Sequence, residues 1–194
     1  IERLDATWVF NWKIGIDNAA EGYHVPLVHP GSYGTVLEPR FDIYPAGAHI
    51  YYTGQFKTDS QAWWRGIAKA LKLTPSSVYP QYACFMIFPN MVVNVNCGSC
   101  LSALILDPLE PQKVAANSGL WLAAGRKGPA HDMAVQSIKA FSLDVRREDH
   151  DICVAVQQGV ADMSESRGPL LGEIDIAVRY LHQTYAACMD GALP

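Results

Sequence analysis

The chain has 194 residues, a length typical of one domain. Apolar residues make up 49% and charged residues 18%, below the ~25% usual for soluble domains, so we expect surface hidden in subunit contacts or around an apolar cavity. The net charge is −4, from 15 basic and 19 acidic residues without blocks of like charge, which argues against a nucleic-acid partner. No apolar stretch reaches the ~18 residues that span a bilayer, and no secretory leader is visible. We therefore expect a cytoplasmic protein with no membrane partner.

The chain starts at Ile1 rather than at Met, so we expect residues upstream. A helix is predicted over residues 17–23, ended by Pro26 and the Pro30-Gly31 turn. Glu21 and the two histidines that flank Pro26 are the polar groups of this stretch.

From residue 41 onward the pattern is that of short strands separated by Gly, Pro and Asn, which predicts an antiparallel sheet. The predicted strands are residues 41–44, 49–56, 82–88, 91–95, 101–106 and 114–123. Residues 61–73 have helical spacing and are predicted to lie over a cavity mouth. Two helices follow, over 130–160, where a break near Phe141 is allowed, and over 171–188. This order predicts an α+β fold, with a curved sheet closed by a terminal helix.

Five cysteines, an odd number without framework spacing, favour reduced thiols over a disulfide scaffold. Cys97 and Cys100 flank Gly98-Ser99 between two apolar runs. We interpret Gly98-Ser99 as a two-residue hairpin turn with the two cysteines facing each other, rather than as a metal or redox pair. No cysteine is followed two residues later by His, so these 194 residues contain no half of a Rieske cluster site.

His24 and His29 are candidate metal ligands. In an ideal helix their spacing would turn them about 140° apart. Pro26 bends the chain between them and allows both imidazoles to converge on one point. Glu21, three residues before His24, could accept the second N–H of that imidazole. Taken alone, the spacing also fits two histidines in a loop with ordinary hydrogen bonds.

Asp149 is a carboxylate aimed at the core. On a helical wheel it lies within an apolar stripe formed by Phe141, Val145, Ile152, Val156 and Val160. Glu148 falls at the edge of the stripe, and Asp144, His150 and Asp151 point outward. A buried carboxylate needs a positive partner. That partner is either a metal or an arginine, for which Arg40, Arg65 and Arg126 are the candidates.

Two histidines and one aspartate would form a facial triad, which suits non-haem Fe(II) that activates oxygen. Two histidines and a carboxylate also hold catalytic zinc, so the donor set is compatible with either iron or zinc. The segment Phe88-Pro89-Asn90 and the strand after it offer only an apolar wall.

Four motifs resemble the catalytic domain of Rieske non-haem iron, aromatic-ring-hydroxylating oxygenases, in their alpha (large) subunit. They are NWKIGIDNAAEGYHVPLVHPG (11–31), FPN (88–90), REDHDICVAVQQG (147–159) and GPLLGEIDIAVRYLHQTY (168–185). The resemblance implies that residues 1–194 are the catalytic domain and that the N-terminal Rieske domain is absent from this chain. It also implies a helix-grip fold of the Bet v 1/START type, an antiparallel sheet wrapped on a long C-terminal helix.

By this resemblance His24, His29 and Asp149 are ligands of a mononuclear Fe(II). Glu21 stands where the family keeps an acidic residue that bridges the Rieske cluster of a neighbouring subunit to this iron. The expected reaction is hydroxylation, as cis-dihydroxylation, of an aromatic substrate with O2, by a dioxygenase supplied with electrons from NAD(P)H through a ferredoxin or reductase. The [2Fe-2S] Rieske cluster is expected only in the missing domain. The expected assembly is a homotrimer, with or without a beta subunit.

Two alternatives remain at this point. One is a metal-free carrier of small apolar ligands with the same sheet-and-helix shape, and the other is a zinc hydrolase. Residues 49–73 and 85–95, with the Trp63-Trp64 pair, are expected to line the pocket. The sequence does not identify the substrate.

Overall fold

The computed structural model describes residues 2–163 and 172–192. The strands are β1 (Glu2–Trp8), β2 (Leu37–Ala46), β3 (His49–Phe56), β4 (Tyr82–Ile87), β5 (Met91–Asn96), β6 (Cys100–Glu110) and β7 (Lys113–Leu122). The helices are α1 (Trp12–Ala20), α2 (Val25–Val28), α3 (Tyr33–Val36), α4 (Thr58–Ala70), α5 (Pro129–Asp162) and α6 (Ile176–Met189). The predicted α+β class, with an antiparallel sheet and a long helix in the C-terminal half, is confirmed.

The strands form one antiparallel sheet in the order β1-β7-β6-β5-β4-β3-β2. From β2 to β7, consecutive strands are neighbours, as expected for hairpins. The edge strand β1 was not predicted, although Leu4, Ala6 and Trp8 alternate with polar residues in the manner of a half-buried strand. It pairs with β7 from Glu2 opposite Leu120 to Trp8 opposite Val114.

The turn between β5 and β6 differs from its prediction. Asn96, not Cys97, pairs with Cys100, so the turn has three residues, and the two cysteines are not opposite each other. Cys97 and Gly98 both have positive φ, which the sharp turn requires. Burial raises the pKa of Cys97 to about 11 and that of Cys100 to about 12, so both thiols stay protonated near neutral pH.

Helix boundaries also required correction. α1 covers residues 12–20 instead of 17–23, because the Asn11 side chain caps its first turn by accepting the Lys13 N–H at 3.0 Å. α4 begins three residues earlier than predicted. α5 is one unbroken helix of 34 residues, without a break at Phe141. α6 begins at Ile176, and the predicted start at residue 171 lies outside the described residues, as do positions 168–171 of the last motif.

One face of the sheet serves two purposes. At one end its buried side chains, such as Ile50, Met86 and Leu106, pack with Ile16 of α1 and Leu181 of α6 to form the core. At the other end the same face and α5 line a large cavity. Within residues 2–163 and 172–192, the helices are too short or too polar to cross a membrane.

Replacement of Leu181 with Ala should lower the free energy of unfolding by about 2–5 kcal/mol, because the side chain is almost fully buried against the sheet and leaves a cavity when truncated. Chemical denaturation would measure the loss. Met189→Ala is the matched control, since Met189 ends the same helix with 87% exposure and should change stability by about 0.5 kcal/mol or less. Equal losses in the two variants would show that α6 does not pack as described.

Candidate metal centre

His24 and His29 flank the single turn of α2. His24 precedes the helix and accepts the Val28 N–H at 2.8 Å, and the His29 N–H donates to the Val25 carbonyl at 3.0 Å. Pro26 lies in the first turn, where its missing N–H costs no helical hydrogen bond. His29 leaves the helical conformation, with φ −110° and ψ 45°, so the ideal-helix angle between the two side chains does not apply.

The three predicted ligand residues lie together. The Nε2 atoms of His24 and His29 are 3.2 Å apart. Oδ1 of Asp149 lies 3.1 Å from the His29 Nε2 and 3.7 Å from the His24 Nε2. Among the described residues, these three are the group of His, Cys, Asp and Glu side chains whose ligand atoms lie close enough to hold one metal ion, all within 4.8 Å of one another.

A carboxylate holds the second nitrogen of each imidazole. Glu21 Oε1 lies 2.5 Å from the His24 Nδ1, and its Oε2 accepts the His24 backbone N–H at 3.1 Å. Glu148 Oε2 lies 2.8 Å from the His29 Nδ1 and accepts the Ser32 hydroxyl at 2.6 Å. An ionised carboxylate only accepts hydrogen bonds, so the neutral form of each ring would carry its hydrogen on Nδ1 and present the Nε2 lone pair to the centre.

This donor set fits a cation. The His29 Nε2 lies within hydrogen-bond distance of both the His24 Nε2 and the Asp149 Oδ1, and none of the three atoms supplies a proton when the imidazoles are neutral. Burial acts to lower the pKa of His29, but the hydrogen bonds and charges of Asp149 and Glu148 outweigh it and raise the pKa above its usual value. The two carboxylates thus favour a positive charge at His29. A bound divalent ion would provide that charge in place of a proton on the imidazole.

The contact between Glu21 and His24 was predicted from helical spacing, but it arises differently. α1 ends at Ala20, and Glu21 already has an extended backbone, with φ −112° and ψ 150°. The residues from Glu21 to Tyr23 therefore form a connection rather than the predicted helix. The carboxylate contacts both the ring and the backbone of His24 across this connection, in which the Gly22 carbonyl accepts the Val25 N–H at 3.3 Å.

Asp149 comes from α5, and part of its predicted surroundings was wrong. Val156 and Val160 are exposed, whereas Cys153 and Gln157 take the buried face below Asp149. Gln157 is held inward because its Oε1 accepts the Asn11 N–H at 2.8 Å. The side chain of Asp149 itself is 31% exposed.

The arginine partner proposed as an alternative for Asp149 is not found. Within the described part of the chain, Asp149 forms its ion pairs with His24 and His29 and none with Arg40, Arg65 or Arg126. The outward positions of Asp144 and Asp151 agree with the prediction, since both are exposed. His150 does not point outward, because its ring packs 5.7 Å from that of Trp8.

Sequence reasoning missed three supporting residues. Glu148 was placed only at the edge of the stripe, yet it holds His29. Ser32 is buried and donates to Glu148, and Asn18 of α1 donates to Asp149 Oδ1 at 2.8 Å. For Glu148 a signal existed, because adjacent helical residues are about 100° apart and can both face a centre that lies between them.

A cavity of about 730 Å³ opens onto the three predicted ligand residues. Its lining is mainly apolar and aromatic. Among the aromatic side chains of the lining are Tyr33, Phe41, Tyr52, Phe56, Trp64 and Tyr82. The Trp63-Trp64 pair of α4 lines the cavity as predicted, but in residues 85–95 only Val92 and Asn94 do so. Such a site suits a small molecule of mostly apolar character.

Comparison with known proteins identifies the family. A family model described as the ring hydroxylating alpha subunit (catalytic domain) matches residues 2–191. The carnitine monooxygenase oxygenase subunits of Acinetobacter baumannii and Acinetobacter pittii are each 32% identical to the chain over 159 residues. The match covers 81% of this chain and 39% of each relative, so the chain spans about two fifths of their length.

Solved structures share the fold at low sequence identity. The quaternary ammonium Rieske monooxygenase CntA, in complex with an inhibitor, superposes with a TM-score of 0.73 at 16% identity, over 95% of this chain and 48% of that one. Dicamba monooxygenase bound to dicamba superposes with a TM-score of 0.67 at 14% identity, over 100% and 59%.

The antiparallel sheet and the long helix thus have the arrangement found in these two monooxygenase structures. Since the family model covers nearly every residue, the chain belongs to the ring-hydroxylating alpha-subunit family. Members of this family are oxidoreductases that use mononuclear iron and a Rieske cluster.

Replacement of Glu148 with Gln should weaken metal binding about 10- to 100-fold, because the amide no longer accepts as a charged partner of the His29 Nδ1–H. Titration of the full-length protein with Fe(II) under anaerobic conditions would measure the change. Asp144→Asn is the control one turn earlier on α5, where the carboxylate is exposed and pairs with Arg147. An unchanged affinity in Glu148→Gln would contradict a role for this carboxylate in holding His29.

Proposed function

We propose that this chain holds a mononuclear Fe(II) with His24, His29 and Asp149 and uses it with O2 to hydroxylate an aromatic substrate. The observation that carries the proposal is the convergence of two imidazole Nε2 atoms and one carboxylate oxygen at the wall of an apolar cavity. Two histidines and a carboxylate on one side of the ion leave the opposite positions open, and Fe(II) bound in this way activates oxygen.

The residues of the chain have separate tasks in this proposal. Glu21 and Glu148 keep the Nε2 atoms of His24 and His29 directed at the ion. Asn18 holds the carboxylate of Asp149 by donating to Oδ1. The aromatic walls bind the substrate ring and exclude water from the reacting carbon.

The identity of the substrate is inferred from the lining and not from the relatives, which differ among themselves. One neighbour is described with L-carnitine as substrate and another with dicamba bound. The expected cis-dihydroxylation also remains a proposal, since these neighbours are monooxygenases. Turnover under ¹⁸O₂ with mass analysis of the product counts the inserted oxygen atoms. Two labelled atoms in one product would support dihydroxylation, and one would assign the chain to the monooxygenases.

The electron supply is proposed for the full-length protein. Electrons from NAD(P)H would pass through a ferredoxin or reductase to a [2Fe-2S] Rieske cluster, and from the cluster of one subunit of a homotrimer to the iron of the next. Glu21 is the proposed link, because it is nine-tenths buried and hydrogen-bonds the ring of a proposed iron ligand. The proposed assembly is the homotrimer alone, because no feature of the described residues indicates a beta subunit.

A metal-free carrier with the same fold is the alternative that the site argues against. A carrier has no use for three carboxylates around two imidazoles, an arrangement that is costly without a cation. Metal analysis of protein purified anaerobically separates the cases. Near-stoichiometric iron supports the oxygenase, zinc supports a hydrolase, and no metal supports the carrier.

His24→Ala, His29→Ala and Asp149→Ala should each abolish stoichiometric iron binding, because each removes one of only three proposed protein ligands. Iron content and far-ultraviolet circular dichroism would be measured on the same preparations, so that loss of metal is separated from loss of fold. Asp151→Ala is the control, since Asp151 is exposed and contacts His150. Iron that stays in Asp149→Ala but is lost in Asp151→Ala would refute the proposed ligand set.

Glu21→Gln should retain much of the iron but lose most reductase-driven turnover if Glu21 links two metal centres. The comparison with Glu148→Gln is informative, because both carboxylates hold an imidazole but only Glu21 is the proposed link. The measurement is the rate at which the reduced Rieske cluster is reoxidised in single turnover, divided by iron content. Equal reoxidation rates per iron in Glu21→Gln and Glu148→Gln would show that Glu21 only orients the imidazole of His24.

A further inference from the structure

Arg146 is a cation in the wall of the substrate cavity. It lies on α5 three residues before Asp149, so the two backbone positions are separated by about 4.5 Å along the helix axis. Of the described residues that line the cavity, Arg146 is the only lysine or arginine. A cation at this place has no part in holding the proposed iron.

The hydrogen bonds and the ring contact described for this guanidinium are all with neutral groups. Its Nη1 donates to the Ser118 hydroxyl and to the Leu4 carbonyl, the latter at 3.4 Å. The group also lies over the ring of Trp8, 5.4 Å from the centroid. Asp5 acts on the charge of Arg146 from outside ion-pair distance, and it forms its ion pair with Arg3 at 2.8 Å. Among the described side chains, no carboxylate lies within ion-pair distance of Arg146.

A half-buried arginine without a counter-ion is unusual, because buried charges are normally paired. An arginine stays protonated and carries five N–H donors in a planar fork. The hydrogen bonds described use Nη1 alone, so the Nε and Nη2 donors remain for a planar anion. Ser118 on β7 lines the cavity beside Arg146. Its hydroxyl accepts from Nη1 and donates to the Leu4 carbonyl at 2.9 Å, so Ser118 positions the guanidinium and leaves the anion to Arg146.

We propose that Arg146, with Ser118 beside it, is a carboxylate-binding subsite of the cavity, and that the substrates of this protein are aromatic carboxylates. The inference rests on the proposed function for its chemistry but on the Arg146 contacts for its substrate class. A carboxylate pairs with the guanidinium fork through two parallel hydrogen bonds. Anchored there, one turn of α5 away from Asp149, the ring extends along the aromatic wall toward the metal centre.

The test compares two probes of nearly equal shape, 2-naphthoate and its neutral analogue 2-naphthamide. Binding to full-length protein purified anaerobically is measured by calorimetry in the absence of O2 and of any electron donor, so that no turnover occurs. Wild-type protein should prefer the carboxylate. Arg146→Gln should weaken 2-naphthoate about tenfold or more and change 2-naphthamide less than about twofold, because a charged hydrogen-bonded pair is lost only for the anion.

Arg147→Gln is the matched control, since Arg147 is the next residue, is exposed and pairs with Asp144. It should change neither affinity. Arg146 and Arg147 both border a shallow outer groove of about 330 Å³, so an equal loss of 2-naphthoate in the two variants would place the anion in that groove and overturn the proposal.

Two further results would also overturn it. Equal loss of both probes in Arg146→Gln would show that Arg146 only fastens α5 to β1 and β7. Absence of any preference for the carboxylate in the wild type would show that there is no anion subsite. Because turnover does not enter the measurement and Arg146 is not a proposed ligand of the iron, failure of this inference is distinguishable from failure of the proposed iron site.

Discussion

Two hydrogen bonds between carboxylates and imidazoles determine the direction of the donor atoms at the centre of this protein. Glu21 and Glu148 each take one ring nitrogen, which leaves only the opposite nitrogen to face the cavity. Without them either ring could rotate or change tautomer, and the donor set would not converge. The close packing around His29 adds to this constraint, since a Cβ at Gly34 would lie 2.6 Å from the His29 carbonyl oxygen. That position therefore requires glycine.

The fold brings these groups together by dividing one sheet face between a core and a cavity. α1 and α6 cover the part that is filled with side chains, and α5 spans the part that remains open. A single helix thereby contributes an imidazole partner, a proposed carboxylate ligand and a cation, at Glu148, Asp149 and Arg146. Their relative positions are set by helical geometry and not by loop conformation, which suits a site that must orient a substrate.

Much of this arrangement was predictable from the sequence, and the failures have physical reasons. The periodicity of the strands and the last two helices gave the α+β class, and the spacing around Pro26 gave the pair of histidines. The helical wheel correctly placed Asp149 on the inward face of α5. It did not show that the buried face continues through Cys153 and Gln157 instead of Val156 and Val160. That continuation depends on Gln157 meeting the backbone of Asn11, a contact between residues 146 positions apart. The role of Glu148 likewise depends on a partner 119 positions away.

The one-turn helix α2 has a consequence for the behaviour of the whole chain. A single turn is not stable by itself, since helix nucleation costs more than one or two hydrogen bonds return. An ion bound to both ends of this turn and to Asp149 would act as a cross-link that closes a loop of about 120 residues, comparable in its effect on chain entropy to a disulfide. Loss of that ion would release α2 first. The amide protons of Val28 and His29 would then exchange with solvent long before those of the sheet.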